Sequence, residues 1–175
     1  MTPELAARVV GGLKAAGIDF VAYLPESRLI EMLPLLERDE AFTVVCASHE
    51  GTAVSIACGA ALVGRRPMVY MEASGLFLSL YNVLSVGVRC GLPLLLVVSH
   101  TGSTGDRLNS ATFAGYGART TAVLDGIRIP YQVVDAGDRI EERIADVARA
   151  ASAAKSPACL LLTGEFTATA EGQTA

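Results

Sequence analysis

From Pro93 to Val98 the chain reads Pro-Leu-Leu-Leu-Val-Val, aliphatic from its second position to its last. A strand with one face in water alternates apolar and polar residues. A run without alternation is buried on both faces, as the central strands of helix-covered parallel sheets are. Five further runs, Ile18–Leu24, Phe42–Cys46, Met68–Met71, Tyr131–Val134 and Ala158–Leu162, are short and largely apolar. Helical signals separate them. Thr2-Pro3-Glu4 is a helix start, with a Thr cap, Pro at the first helical position and an acid in the first turn. Leu5, Val9, Val10 and Leu13 then mark a buried stripe. Later helices are predicted around Leu29–Leu36, from Glu50 to about Gly64, from Leu76 to about Val86, over Ala118–Leu124 and over Asp138–Ala154. Strands alternating with helices through short connections predict an α/β fold: an open, mostly parallel sheet of about six strands, covered by helices on both faces. Residues 1–166 form one domain in this reading, and 167–175 have the composition of a tail.

Composition narrows the function. Hydrophobic residues make up 51% of the 175 and charged residues 18%, with a mean hydropathy of +0.43. No uninterrupted apolar run reaches the ~18 residues of a membrane span, so the surplus predicts a subunit interface. A net charge of −4, with no basic or aromatic-interleaved stretch, argues against nucleic acid. Cys46, Cys58, Cys90 and Cys159 are dispersed in apolar segments without C-x-x-C pairing, the pattern of buried thiols in a reducing compartment. Met1-Thr2-Pro3-Glu4-Leu5 lacks the layout of a secretion signal, which makes a cytoplasmic location the expectation.

The segment after Phe42–Cys46 concentrates the chemistry. Ser48-His49-Glu50 is a tight turn, and the helix behind it is small or apolar at Ala53, Val54, Ile56, Ala57, Cys58, Ala60, Ala61, Leu62 and Val63. A helix apolar on nearly every side is expected to be buried on nearly every side. Glu50 then stands at the edge of a dry region, where the helix end favours its anion and apolar surroundings its neutral acid. Such a group can share a proton with a buried nitrogen base.

Ligands of open parallel sheets bind beyond the carboxyl ends of the strands. Those ends read Pro25-Glu26-Ser27, Ser48-His49-Glu50, Glu72-Ala73-Ser74-Gly75 and Ser99-His100-Thr101-Gly102. Carboxylates, both histidines and small hydroxyls thus converge on one rim. Familiar chemistries fail elsewhere: there is no G-x-G-x-x-G fingerprint, no Walker A loop, no G-x-S-x-G elbow and no His/Cys spacing for a metal. A polar, Gly-rich stretch from Ser99 to about Gly115 predicts a functional loop.

Ser48-His49-Glu50-Gly51-Thr52-Ala53, then Arg66-Pro67-Met68-Val69-Tyr70-Met71-Glu72-Ala73-Ser74-Gly75-Leu76, then Leu92-Pro93-Leu94-Leu95-Leu96-Val97, resemble in order the pyrimidine-binding domain of thiamine-diphosphate enzymes. The likeness is greatest to the sulfopyruvate and phosphonopyruvate decarboxylases. Leu24-Pro25-Glu26-Ser27 upstream, and Gly117-Ala118-Arg119-Thr120 with Ile129-Pro130-Tyr131 downstream, extend it from Leu5 to Gly164. The resemblance implies that Glu50 is the catalytic glutamate, which in such enzymes contacts a pyrimidine nitrogen of the cofactor and promotes its imino tautomer. It further implies cofactor-binding positions at Pro25, Ser74 and Gly75, and substrate-facing ones at Ser27, Glu72, His49 and His100.

Complete enzymes of this type hold the diphosphate through Mg2+ with a Gly-Asp-Gly motif and a downstream Asn. Here Gly105-Asp106-Arg107 and Gly137-Asp138-Arg139 are not followed by an Asn at the family's spacing; Asn82 and Asn109 are the only ones. The likeness therefore implies a partner subunit carrying the diphosphate and Mg2+ site, with no metal ligand in this chain. The implied reaction is decarboxylation of a 2-oxo acid, 3-sulfopyruvate or 3-phosphonopyruvate. A non-catalytic binding module of the same fold and an acetolactate-type carboligase are the alternatives. An anionic substrate tail calls for a cation, and Arg28, Arg107 and Arg119 are the candidates.

Overall fold

A computed structural model of the chain describes residues 1–168. Six strands, β1 (Phe20–Tyr23), β2 (Thr43–Cys46), β3 (Pro67–Glu72), β4 (Leu94–Ser99), β5 (Tyr131–Val134) and β6 (Pro157–Leu162), form one sheet in the order β2-β1-β3-β4-β6-β5. All its pairings are parallel. The chain moves outward from β1 to β2 and then returns to the opposite side of β1 with β3. That reversal makes a topological switch point, where crevices open at the carboxyl ends. The predicted central strand is β4, which is buried at all six positions, as is β6.

Helices α1 (Pro3–Ala15), α2 (Leu33–Arg38) and α6 (Ile140–Ala154) cover one face, around a core including Val9, Leu13, Tyr70, Val97, Ile144 and Phe166. Helices α3 (Glu50–Leu62), α4 (Ala73–Asn82) and α5 (Ala111–Gly126) cover the other, around Val54, Ala57, Met71, Leu76, Leu96 and Leu161. The expected Thr2 cap is present: its hydroxyl accepts the Leu5 N–H at 3.2 Å.

Several expectations are corrected. Helix α3 is not buried all round. The sheet takes Ala53, Val54, Ala57 and Cys58, whereas Thr52, Ser55, Gly59, Leu62 and Val63 face outward. One sheet can cover only one side of a helix, so an apolar helix leaves its other side uncovered. Helix α4 behaves alike, with Leu78 61% and Tyr81 78% exposed. It ends at Asn82 and continues as a π-helical turn, Val83–Val88, for which the largely apolar sequence carries no signal. Helix α5 begins at Ala111, well before the expected Ala118, because its polar and glycine positions Thr112 and Gly115 lie on the outer side. The segment after Ser27 opens as a 3-10 turn, Ile30–Met32, before the short α2. Only Cys58 and Cys159 are buried; Cys46 lies on edge strand β2 and Cys90 in the turn before β4, both exposed. Of the predicted tail, Thr167 is buried, its hydroxyl donating to the Gly164 carbonyl at 3.2 Å, while 169–175 lie outside the described residues.

Candidate functional site

Helix α3 packs across β1 and β3, at the switch point. His49 caps it from an extended backbone conformation (φ −160°, ψ 145°), its Nδ1 accepting the Gly51 N–H at 3.1 Å. That acceptor satisfies one of the orphaned donors of the first turn and fixes Glu50 as the first helical residue. The Glu50 side chain lies against Gly75 in the first turn of α4. A Cβ added there would stand 2.5 Å from Glu50 Cγ and 2.7 Å from its Oε1, too close unless the Glu50 side chain moves. Asn82 binds the two helices together further along, donating from Nδ2 to Ser55 Oγ at 2.9 Å. Glu50 takes part in none of the ion pairs among the described residues.

Beyond β1 and β3 the predicted rim is partly assembled. Pro25 and Ser27 are exposed after β1, and Ser74 is half-buried beside Gly75. Glu72, the last residue of β3, accepts the Thr101 hydroxyl at 3.1 Å, which ties the β3 and β4 ends together. Glu26, by contrast, turns inward. Its Oε2 accepts the Arg28 N–H at 2.8 Å, and its Oε1 is shielded without a hydrogen-bond partner. Burial, reinforced by the charge of Glu72, pushes its pKa up to about 7, against the backbone N–H groups of Arg28 and Leu29 and the Ser99 hydroxyl. Sequence reading placed Glu26 on the rim but gave it no role; nothing in Pro25-Glu26-Ser27 says which side chain turns in.

His100 is not grouped with Glu50. Helix α4 packs against both α3 and α5, and the His100 ring is buried on the α5 side, with Nε2 3.1 Å from the Gly117 carbonyl. A carbonyl partner requires the proton on Nε2, leaving Nδ1 an acceptor; it is buried and unpartnered, and burial lowers the ring's pKa. The ring lines a cleft of ≈ 400 Å³ with Ser103, Gly105, Gly117, Asp135 and Thr163. His49 stays on the Glu50 side, with its Nδ1 spent on the helix cap.

Of the three candidate cations, Arg107 and Arg119 are exposed, and Arg119 donates to the Gly115 carbonyl of its own helix at 2.8 Å. Arg28 is the shielded one. Its Nη2 lies 3.2 Å from the Leu108 carbonyl and 3.5 Å from Asp106 Oδ2, and its guanidinium lies over Phe113 at 5.2 Å. It straps the loop after β4 to the end of β1.

A parallel α/β sheet with a carboxylate at a helix mouth over its switch point is the arrangement expected of the pyrimidine side of a thiamine-diphosphate enzyme. Residues 3–121 match the family described as thiamine pyrophosphate enzyme, N-terminal TPP binding domain, and the chain belongs to that family. It is similar to proteins named sulfopyruvate decarboxylase subunit alpha: 26% identical to that of Methanothermobacter thermautotrophicus over 84% of this chain and 88% of the relative, and 30% identical to that of Methanocaldococcus jannaschii over 57% and 59%. A protein of Methanosarcina acetivorans named sulfopyruvate decarboxylase is 27% identical over 76% of this chain, which spans only 33% of that relative. The fold is shared with a 2-oxoglutarate:ferredoxin oxidoreductase from Magnetococcus marinus, with a TM-score of 0.74, 17% identity, and coverage of 95% of this chain and 29% of the larger one.

The local geometry fits the pyrimidine end of the cofactor. Gly75 leaves the space that the Glu50 carboxyl occupies, so the acid is held at a helix mouth where a ring nitrogen could meet it. Among the described residues no three His, Cys, Asp or Glu side chains are grouped to hold a metal ion. No helix among them is long and apolar enough to cross a membrane.

Proposed function

We propose that this chain is the pyrimidine-side subunit of a split thiamine-diphosphate-dependent 2-oxoacid decarboxylase, converting 3-sulfopyruvate to the corresponding aldehyde and CO2. The observation that carries this reading is Glu50, capped into place by His49 and seated on Gly75, in a chain of the thiamine pyrophosphate family. When bound, the cofactor supplies the carbon nucleophile that attacks the 2-oxo group. Glu50 holds a proton at the pyrimidine nitrogen, the general acid–base role its position suits. Pro25, Ser74 and Gly75 shape the cofactor's seat, while Ser27, Glu72 and His49 meet the substrate from the rim. His100, buried on the α5 side, lies outside this set.

The substrate is argued from the relatives whose names carry sulfopyruvate decarboxylase. 3-Phosphonopyruvate, of similar shape and charge, is the competing 2-oxo acid. A carboligase reading has one specific observation behind it: 41% identity over 68 residues to a putative acetolactate synthase large subunit of Mycobacterium tuberculosis, covering 38% of this chain and 12% of that one.

A partner subunit supplies the Mg2+ and diphosphate site. Relatives named subunit alpha support this, as does the longer single chain of the Methanosarcina relative, of which this chain matches a third. The partner docks on the uncovered side of α3, α4 and the π turn, where Leu62, Val63, Leu78, Tyr81, Leu84 and Val88 are exposed. Apolar burial is worth about 25 cal/mol per Å², which makes such a face costly to leave in water.

Calorimetry and sedimentation on the chain alone and with its partner test the proposal. The lone chain should self-associate and bind thiamine diphosphate weakly; the partner should restore tight binding and decarboxylation of a 2-oxoacid panel. Tight Mg2+-dependent binding by a monodisperse monomer would overturn the split-subunit reading.

A further inference from the structure

Glu26 sits between Pro25 and Ser27 at the end of β1, yet its side chain points away from both. The groups around it come from several elements. From β3 come Glu72 and the buried, unpartnered Tyr70 phenol; from β4 comes the Ser99 hydroxyl, likewise buried and without a hydrogen bond of standard geometry. The Met1 ammonium also faces it, alongside Glu31. Arg28 gives it a backbone N–H, while its guanidinium is drawn off to Asp106, Leu108 and Phe113. No ion pair among the described residues involves Glu26.

A shielded carboxylate next to a second carboxylate, with no cation in ion-pair contact, is poorly placed to keep its charge. One proton changes that. A neutral Glu26 carries an O–H that the Ser99 hydroxyl can accept; the anion can take the Ser99 proton instead, but leaves a shielded charge beside Glu72.

We propose that Glu26 is a positioning residue held as the neutral acid, whose proton latches the loop carrying Pro25, Ser27 and Arg28, and through Arg28 the segment Asp106–Phe113, in the shape that receives ligand. The proposal rests on the reading of this rim as the substrate side. Ionisation beside Glu72 releases the latch, because a shielded charge without an ion pair draws water into the packed loop. The loop then loosens on both sides of the β1 end, at Ser27 and at the Arg28 strap. The latch titrates near neutrality, burial being the main cause.

NMR on the full chain, labelled at the glutamate carboxyl carbons and backbone amides, tests this without turnover. One carboxyl should titrate near neutral pH and vanish in Glu26→Gln, with the Arg28 and Leu29 amides following the same midpoint. Arg28 and Leu29 amides that show no transition near neutrality would overturn the proposal, and wild type alone decides this if the Gln variant fails to fold. In the complex with the partner subunit, KM for the 2-oxo acid should rise several-fold above neutral pH in wild type and stay flat in Glu26→Gln. A rise of equal size in both would remove the positioning role. Absence of turnover on every 2-oxo acid, with the amide transition intact, would count against the decarboxylase reading and leave the latch standing.

Discussion

The Cβ that Gly75 lacks would stand 2.5 Å from Cγ of Glu50. Two helices that follow different strands thereby fix one carboxylate: α3 carries it, and α4 makes its room. Gly75→Ala tests this arrangement. The obstructing atoms belong to a flexible side chain, so the backbone should hold and the carboxyl should swing aside. Turnover of the assembled enzyme should fall at least about 10-fold, each decade being about 1.4 kcal/mol of lost transition-state stabilisation, with a melting temperature close to wild type. Unchanged turnover would mean that the position of Glu50 on Gly75 is immaterial.

Glu50→Gln keeps the volume but cannot exchange the proton. Fold and assembly should survive, while turnover with saturating cofactor and Mg2+ drops about 100-fold or more, within the usual range for losing a general acid–base group. Near-normal rates in a correctly assembled variant would remove Glu50 from its role.

His49 offers a separate handle on the same helix. His49→Ala deletes the acceptor for the Gly51 N–H and should destabilise the chain by about 1 kcal/mol, the typical cost of losing a cap. His49→Asn should restore most of that stability. Urea melts of the three proteins measure it, and equal midpoints for Ala and Asn would show that the cap carries no energy.

Glu26 sets a direction for stability against pH. Its pKa is raised from 4.5 to about 7 on folding, so between those values the native chain binds more protons than the unfolded one. Its stabilising contribution is complete below about 4.5 and is lost as pH rises through about 7. Denaturation midpoints of wild type should fall across that window relative to Glu26→Gln. Parallel pH curves for the two proteins would contradict the shift.

Tyr81→Asp with Leu78→Asp places charge on the uncovered face without touching the core, since both side chains are more than half exposed. The lone chain should become more soluble and monomeric, and binding to the partner should weaken by at least about 100-fold, as for a desolvated central contact. Sedimentation and calorimetry report both. An unaffected complex would move the interface elsewhere.

The strand pattern was readable because β4 and β6 leave no ambiguity: six buried positions in a row admit no solvent face. The place of Glu50 at a helix mouth was readable because Ser48-His49-Glu50 is a tight turn ahead of an apolar helix. The same apolarity hid the rest. In α3 and α4 a largely apolar sequence cannot say which side meets the sheet, and Leu78 and Tyr81 are among the exposed residues. Glu26 and His100 do follow the ends of β1 and β4, but side-chain direction beyond a strand end depends on loop conformation. One turned in beside Ser99, and the other against α5.

The contact between Gly102 and Gly117 carries a consequence for divergence among such enzymes. A Cβ on Gly117 would come within 1.9 Å of the Gly102 carbonyl carbon, and one on Gly102 within 1.9 Å of the Phe113 carbonyl oxygen. Backbone touches backbone, so the start of the loop and the body of α5 are welded at two points that tolerate no side chain. The residues between them, with Arg107, Asn109, Ser110 and Thr112 exposed, are free of that constraint. This short stretch can therefore change its exposed side chains by ordinary substitution, while the frame that presents it stays where it is.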